Sequence, residues 1–190
     1  MSLPFICDKT FKSQSYTQNS LEKAEYDNCT FINCNFSESY VSGISFLECK
    51  FIDCNFSMVK TKNTIFKDAV FNNCKLLGVP FHDCNPFLMS MTFIDSQLNL
   101  SSFYNLKLKN TTFSNCILEQ TDFTNSDLTK SKFINSDLKK AIFDKTILES
   151  VDFSSAYNLT INPEQNRIKN AKFSRDNALG LLVQYQIDIK

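Results

Sequence analysis

Few residues in this chain have the types and spacing that chemistry needs. The only histidine, His82, stands directly before Asp83 and makes the one His–carboxylate neighbour pair. A proton relay needs both side chains on one side of the backbone, whereas neighbours on an extended chain point to opposite faces. His82 therefore reads as a surface residue. A zinc site draws three or four ligands from Cys, His and carboxylates, so here it would fall on the eight cysteines. Cys34, Cys54 and Cys74 are 20 residues apart, and so are Cys29 and Cys49. Side chains stacked at that interval inside a packed interior run alongside one another. They offer neither tetrahedral ligand geometry nor the facing vectors of a disulfide. Seven of the eight share their position in the sequence pattern with Ala, Ser, Thr and Val. They read as small, buried, reduced hydrophobes, the state expected in the cytoplasm. Three glycines cannot build a phosphate cradle. With no nucleophile–base pair, metal set or phosphate loop, the expectation is a protein that is not an enzyme and takes no cofactor, metal or small-molecule ligand.

The elements that hold these residues are bounded by bulk composition. A chain of 190 residues has room for a single domain with a real core. Twenty basic and twenty acidic residues cancel. Residues 1–95 hold 8 basic and 10 acidic side chains, and residues 96–190 hold 12 and 10. That balance argues against direct nucleic-acid binding, which needs a basic excess. The pairs Lys107/Lys109, Lys130/Lys132 and Lys139/Lys140 are mixed with Glu119, Asp122, Asp127 and Asp137, as on a solvated mixed-charge face. No apolar run approaches the ~18 residues of a membrane span. The start, Met1 to Cys7, is too short for a signal-peptide apolar region. The expected location is the cytoplasm.

The anomaly is phenylalanine, 19 residues of it. From Phe93 to Phe153 every fifth residue is Phe or Leu in strict alternation, as in Phe113, Leu118, Phe123, Leu128 and Phe133. The same period runs from Phe11 to Phe81, and only Phe5 and Phe87 fall off register. Two residues before most large apolar centres stands a small one, as in Ser126-Asp127-Leu128, with Met91 and Leu106 as the exceptions in the second block. A period of five matches neither a helix nor a long strand. It requires a coiled backbone with short straight sides and tight corners, each side pointing its centre and the residue two before it inward. Gly43 and Gly78 fall two after a centre, where a corner needs positive φ. The interior fills with Phe and Leu, leaving no ligand cavity.

These units resemble the pentapeptide-repeat family, whose consensus is Ala-Asp/Asn-Leu/Phe-x-x. The resemblance covers residues 11–153 and then Ala171-Lys172-Phe173. It implies an all-β fold: a right-handed quadrilateral β-helix with four units per coil. That gives about seven coils here, a rod roughly 34 Å long at ~4.8 Å per coil. Twenty residues then make one coil, which places the cysteines 20 apart above one another.

The organisation expected over residues 1–190 is one repeat domain. Its parts are a first repeat block at 11–81, a register jog at 82–92, a second block at 93–153, and a cap at 154–190. The jog spans two residues more than two units and presents Phe87, Leu88 and Met89 as candidate partner contacts. In the cap, Asn158 and Pro163 take the comb positions. Asp176 or Ser174 N-caps a helix of about ten residues, and Ile187-Asp188-Ile189 alternates like a short strand. Leu179, Leu182 and Val183 share a helix face and are the candidate homodimer interface. The resemblance extends to Qnr-type bacterial members, which pair tail to tail, bind DNA gyrase and topoisomerase IV, and protect them from quinolones. It offers a type II topoisomerase as one protein partner. The neutral charge and the absence of longer projecting loops favour a non-catalytic binding scaffold with a different protein partner.

Overall fold

The computed structural model describes residues 3–188. Each five-residue unit folds as a short side and a corner. In Thr111-Thr112-Phe113-Ser114-Asn115, Thr111 and Phe113 are buried, Thr112 and Ser114 are half-buried, and Asn115 turns the corner with φ of 52°. The alternation of the first four is ordinary strand geometry. The left-handed fifth residue ends the strand before its alternation can carry a Phe into solvent. Corners at this position recur along the chain, mostly as Asn or Asp, which tolerate positive φ better than other non-glycine residues. Gly43 and Gly78 sit there with φ of 68° and 63°.

Coils stack through parallel ladders. On the first side β1 (Phe5–Cys7), β3 (Glu25–Asp27), β5 (Ser45–Leu47) and β7 (Ile65–Lys67) form a four-stranded parallel sheet. On the second side lie β2 (Thr10–Lys12), β4 (Thr30–Ile32), β6 (Lys50–Ile52), β8 (Ala69–Asn72), β9 (Met91–Ile94), β10 (Thr112–Ser114) and β11 (Lys132–Ile134). They make a seven-stranded parallel sheet in the order β2-β4-β6-β8-β9-β10-β11. The third and fourth sides are tied by single bridges, such as Asn55↔Lys75↔Gln97↔Ile117 and Ser102↔Asp122↔Ile142. The fold is the right-handed quadrilateral β-helix expected from the repeat. The register places Phe31 on Phe51, Phe51 on Phe71, and Phe71 on Phe93. It also adds a unit: Ile6 is the first centre, and Phe5 points outward.

The core is a set of vertical aromatic stacks. Phe113 and Phe133 are 4.8 Å apart and nearly parallel, and Phe133 and Phe153 are 5.0 Å apart. Rings from neighbouring sides meet edge-on, as Phe123 and Phe133 do at 5.8 Å. Both arrangements suit the ring quadrupole. The small inward residues satisfy carbonyls: Ser131 Oγ donates to Leu108 O and Thr146 Oγ1 to Phe123 O.

At the C-terminal end the comb slips. Leu159 and Ile161 are buried, while Asn158 is an exposed corner. Asn166 takes an inward place, its Nδ2 donating to Phe143 O and its Oδ1 accepting from Thr146 N. The helix α1 is Arg175–Leu179, five residues rather than about ten, capped by Ser174, whose side chain accepts from Asn177 N. Beyond it Gly180, Leu181, Leu182 and Tyr185 all bond three residues back, so the chain tightens into 3₁₀ turns. The cause is local. A Cβ at Gly180 would collide with the Leu159 carbonyl, so the backbone is pulled against the last coil there. Ile187 and Asp188 are not in a strand, and Ile189 of that expected alternation lies outside the described residues.

Candidate protein-interaction surfaces

The two extra residues of the jog are inserted above β7. Asn85 N donates to Thr64 O at 2.9 Å and Ser90 N to Phe66 O at 3.0 Å, and these bonds bracket residues 86–89. Phe87 N donates to Asn85 Oδ1 at 2.9 Å, an Asx turn before the tip. Ser90 Oγ donates to Asp68 Oδ1 and accepts from Asp68 N, both at 2.7 Å. The structure separates the three candidate contacts. Phe87 and Leu88 stand out at 70% and 59% exposure, while Met89 packs half-buried against the core. Leu88 is left-handed, with φ of 54°.

His82 and Asp83 precede this loop in a 3₁₀ turn, Phe81–Asp83. The expectation that they face opposite ways is corrected here. The chain is not extended, and His82 Nε2 lies 3.6 Å from Asp83 Oδ1. Both side chains are exposed, so the pair sits on open surface. Among the described residues no group of three His, Cys, Asp or Glu is placed to hold a metal. All eight cysteines are free, and all but Cys7 are buried. Burial pushes the Cys49, Cys84 and Cys116 thiols up to about 12, so they stay protonated and unreactive.

The charged faces are mixed. Lys109–Asp127, Lys139–Glu119 and Arg167–Glu149 pair across neighbouring coils. Burial opposes ionisation of Asp127, but hydrogen bonds from Thr129 and Lys109 hold its carboxyl below the usual range. Such pairs interrupt any acidic stripe along the rod.

At the tail, Leu179 and Val183 are exposed, with Tyr185 and Ile187 beside them in sequence, and Leu182 is half-buried. The coil end itself is closed by Leu181 and by Asn177, whose Nδ2 donates to Phe153 O and Ala156 O. Neither Asn166 nor Asn177 stands out in a sequence rich in exposed Asn.

A further surface lies along one edge of the rod. Along this edge, between the third and fourth sides, Met58, Leu77 and Leu100 are exposed on three successive coils, with Tyr40 exposed on the coil before. Met58 and Leu100 occupy left-handed corners, with φ of 58° and 61°. The available signal was a large apolar residue two places after a centre, where the repeat otherwise puts polar residues or Gly.

A stacked solenoid of five-residue units, with large apolar centres and left-handed corners, defines the class of quadrilateral β-helical repeat proteins. The sequence matches a family model described as the pentapeptide repeat region over residues 24–103, 44–123 and 64–143. The chain belongs to the pentapeptide-repeat family. Among solved structures it resembles a trypsin-treated variant of QnrB1, a plasmid-mediated fluoroquinolone resistance protein. That match is 15% identical over the whole of both chains, with a TM-score of 0.62. Full-length QnrB1 matches at 17% identity over 96% of this chain and all of its own, with a TM-score of 0.53. At these identities the likeness is one of fold. No curated protein matches significantly.

Proposed function

We propose that this chain is a non-catalytic scaffold that binds another protein through side chains displayed on a rigid rod. The observation that carries the reading is the Phe87–Leu88 tip. A large aromatic residue is held out to solvent by an Asx turn and two ladder bonds, so little conformational freedom is lost when a partner covers it. The filled core supports this, since ring stacks occupy the interior where a small ligand would sit. A photo-crosslinking amino acid at position 87 should trap a discrete adduct in cells, and the same group at exposed Asn125 should not. Equal labelling at both positions would remove the reading.

The tail is the proposed contact with a second copy, through Leu179, Leu182 and Val183. Exchange of Leu179 or Leu182 for Asp should convert a dimer to a monomer in light scattering, and an unchanged mass would refute this pairing. Reduced buried thiols suit a cytoplasmic location. No helix among the described residues is long and apolar enough to cross a membrane.

A second reading has the chain bind gyrase or topoisomerase IV as a duplex mimic and protect it from quinolones. Its support is the full-length likeness to QnrB1. The net charge of zero and the coil-bridging ion pairs work against it, because attraction to a DNA-binding groove needs an acidic surface.

A further inference from the structure

Leu77 and Leu100 lie in a surface groove of about 440 Å³ that also includes Gln97, Asn99, Gln120 and Lys75. Three features of this groove have no role in the fold. First, Met58 and Leu100 hold apolar side chains at exposed corners with positive φ, in a column whose other members are Glu38, Gly78, Gln120 and Lys140. An Asn or Gly would relax the backbone there and keep it soluble, so the apolar residues are held against local preference. Second, the side-chain amides of Gln97, Asn99 and Gln120 form no hydrogen bond among the described residues, while nearby Asn55 is used in an Asx turn to Ser57. Third, Lys75 in the lining, with Lys60 and Lys62 outside it on the preceding coil, is exposed, and all three enter none of the ion pairs among the described residues.

We infer that this groove docks an extended peptide segment of a partner protein, with apolar side chains and carboxylates. Free side-chain amides can pair with both the N–H and the C=O of an extended main chain. Leu77 and Leu100 receive an apolar side chain, and Met58, lying over Gly78 with its sulfur 2.6 Å from where an added Cβ would sit, extends that apolar surface beside the groove. The unpaired lysines select an acidic segment over a basic one. Glu119, which also lines the groove, is paired with Lys139 at 3.2 Å, so Lys75 is the charge in the lining that has no ion-pair partner among the described residues. The inference rests on the scaffold reading and adds a site independent of the Phe87 tip.

The test uses a phage library of random 12-residue peptides, selected on the whole chain, followed by fluorescence polarisation with the enriched peptides. The expected consensus is one or two large apolar residues among Asp or Glu. Leu77→Asp should weaken binding at least tenfold, and Lys75→Glu several-fold. Leu100→Asn should weaken binding while raising the melting temperature, since Asn suits the left-handed corner. That variant separates loss of the site from loss of the fold. Phe87→Ser should leave affinity unchanged. A basic consensus, no enrichment, or binding insensitive to Leu77 and Leu100 would overturn the inference. Peptides lost on Phe87→Ser alone would do so too, while leaving the scaffold reading standing.

Discussion

Replacing Phe133 by Ala tests how much of the rod's stability lies in the aromatic stacks. Phe133 is fully buried between Phe113 at 4.8 Å and Phe153 at 5.0 Å, with Phe123 and Phe143 edge-on at 5.8 and 6.4 Å. Truncation of a buried Phe costs about 3–5 kcal/mol. The upper end applies here, because neighbouring rungs are pinned by the ladder and cannot close the cavity. With an unfolding entropy of roughly 2.1 cal/mol/K per residue, that corresponds to a fall of roughly 8–12 °C in melting temperature. Phe11 is the internal control. It stacks on Phe31 at 4.7 Å on one face, meets Tyr26 edge-on at 5.9 Å, and is half-buried at the end of the rod. Its replacement by Ala should cost about 1–2 kcal/mol, less than half the core value. Urea unfolding followed by circular dichroism reads both. Equal losses for the two variants, or a loss below about 1 kcal/mol for Phe133→Ala, would refute the claim that the five-residue comb is an ordered inward stack.

Three further outcomes follow from the geometry. Asn177→Ala leaves the carbonyls of Phe153 and Ala156 without their donor. It should cost about 1–3 kcal/mol, with hydrogen exchange rising in the last coil first. Lys130 turns a corner with φ of 61°; Lys130→Gly should stabilise the chain by up to about 1 kcal/mol, and a destabilised variant would count against strain at these corners. Native protein should expose one thiol, Cys7, to a thiol reagent, and all eight after denaturation. Because the thiols of Cys49, Cys84 and Cys116 are raised to about 12 in the fold, the unfolded chain ionises first, near about pH 8.5. Their contribution is whole below that pH and is lost as pH rises toward about 12. Cys49→Ser should flatten this alkaline decline in urea midpoint.

The repeat was legible because two inward residues per five leave no freedom in which side chains are large. Phe113, Leu118 and Phe123 announce both the period and the core, and the 20-residue interval of Cys34, Cys54 and Cys74 announces the coil. The end of the rod was not legible. Asn166 and Asn177 are buried only because the last carbonyls need donors, and nothing local distinguishes them from exposed Asn. The length of α1 failed for a similar reason: its apolar pattern continues past Gly180, but contact with Leu159 tightens the backbone into 3₁₀ turns. The rule for extended chains puts His82 and Asp83 on opposite faces, and the turn at Phe81–Asp83 brings them together. Phe87 and Leu88 showed themselves by leaving the comb. Met58 and Leu100 stand out only against the polar residues and Gly that otherwise fill the place two after a centre, and the backbone dihedral then gives the reason that place is polar.

The scaffold account is tested most directly by titrating the purified chain into a gyrase supercoiling reaction, with and without a quinolone. A folded, charge-neutral rod whose partner is another protein leaves both reactions unchanged up to equimolar chain. Restored supercoiling in the presence of the quinolone would contradict the account, in which the partner is a protein other than a type II topoisomerase, and would favour the topoisomerase reading instead.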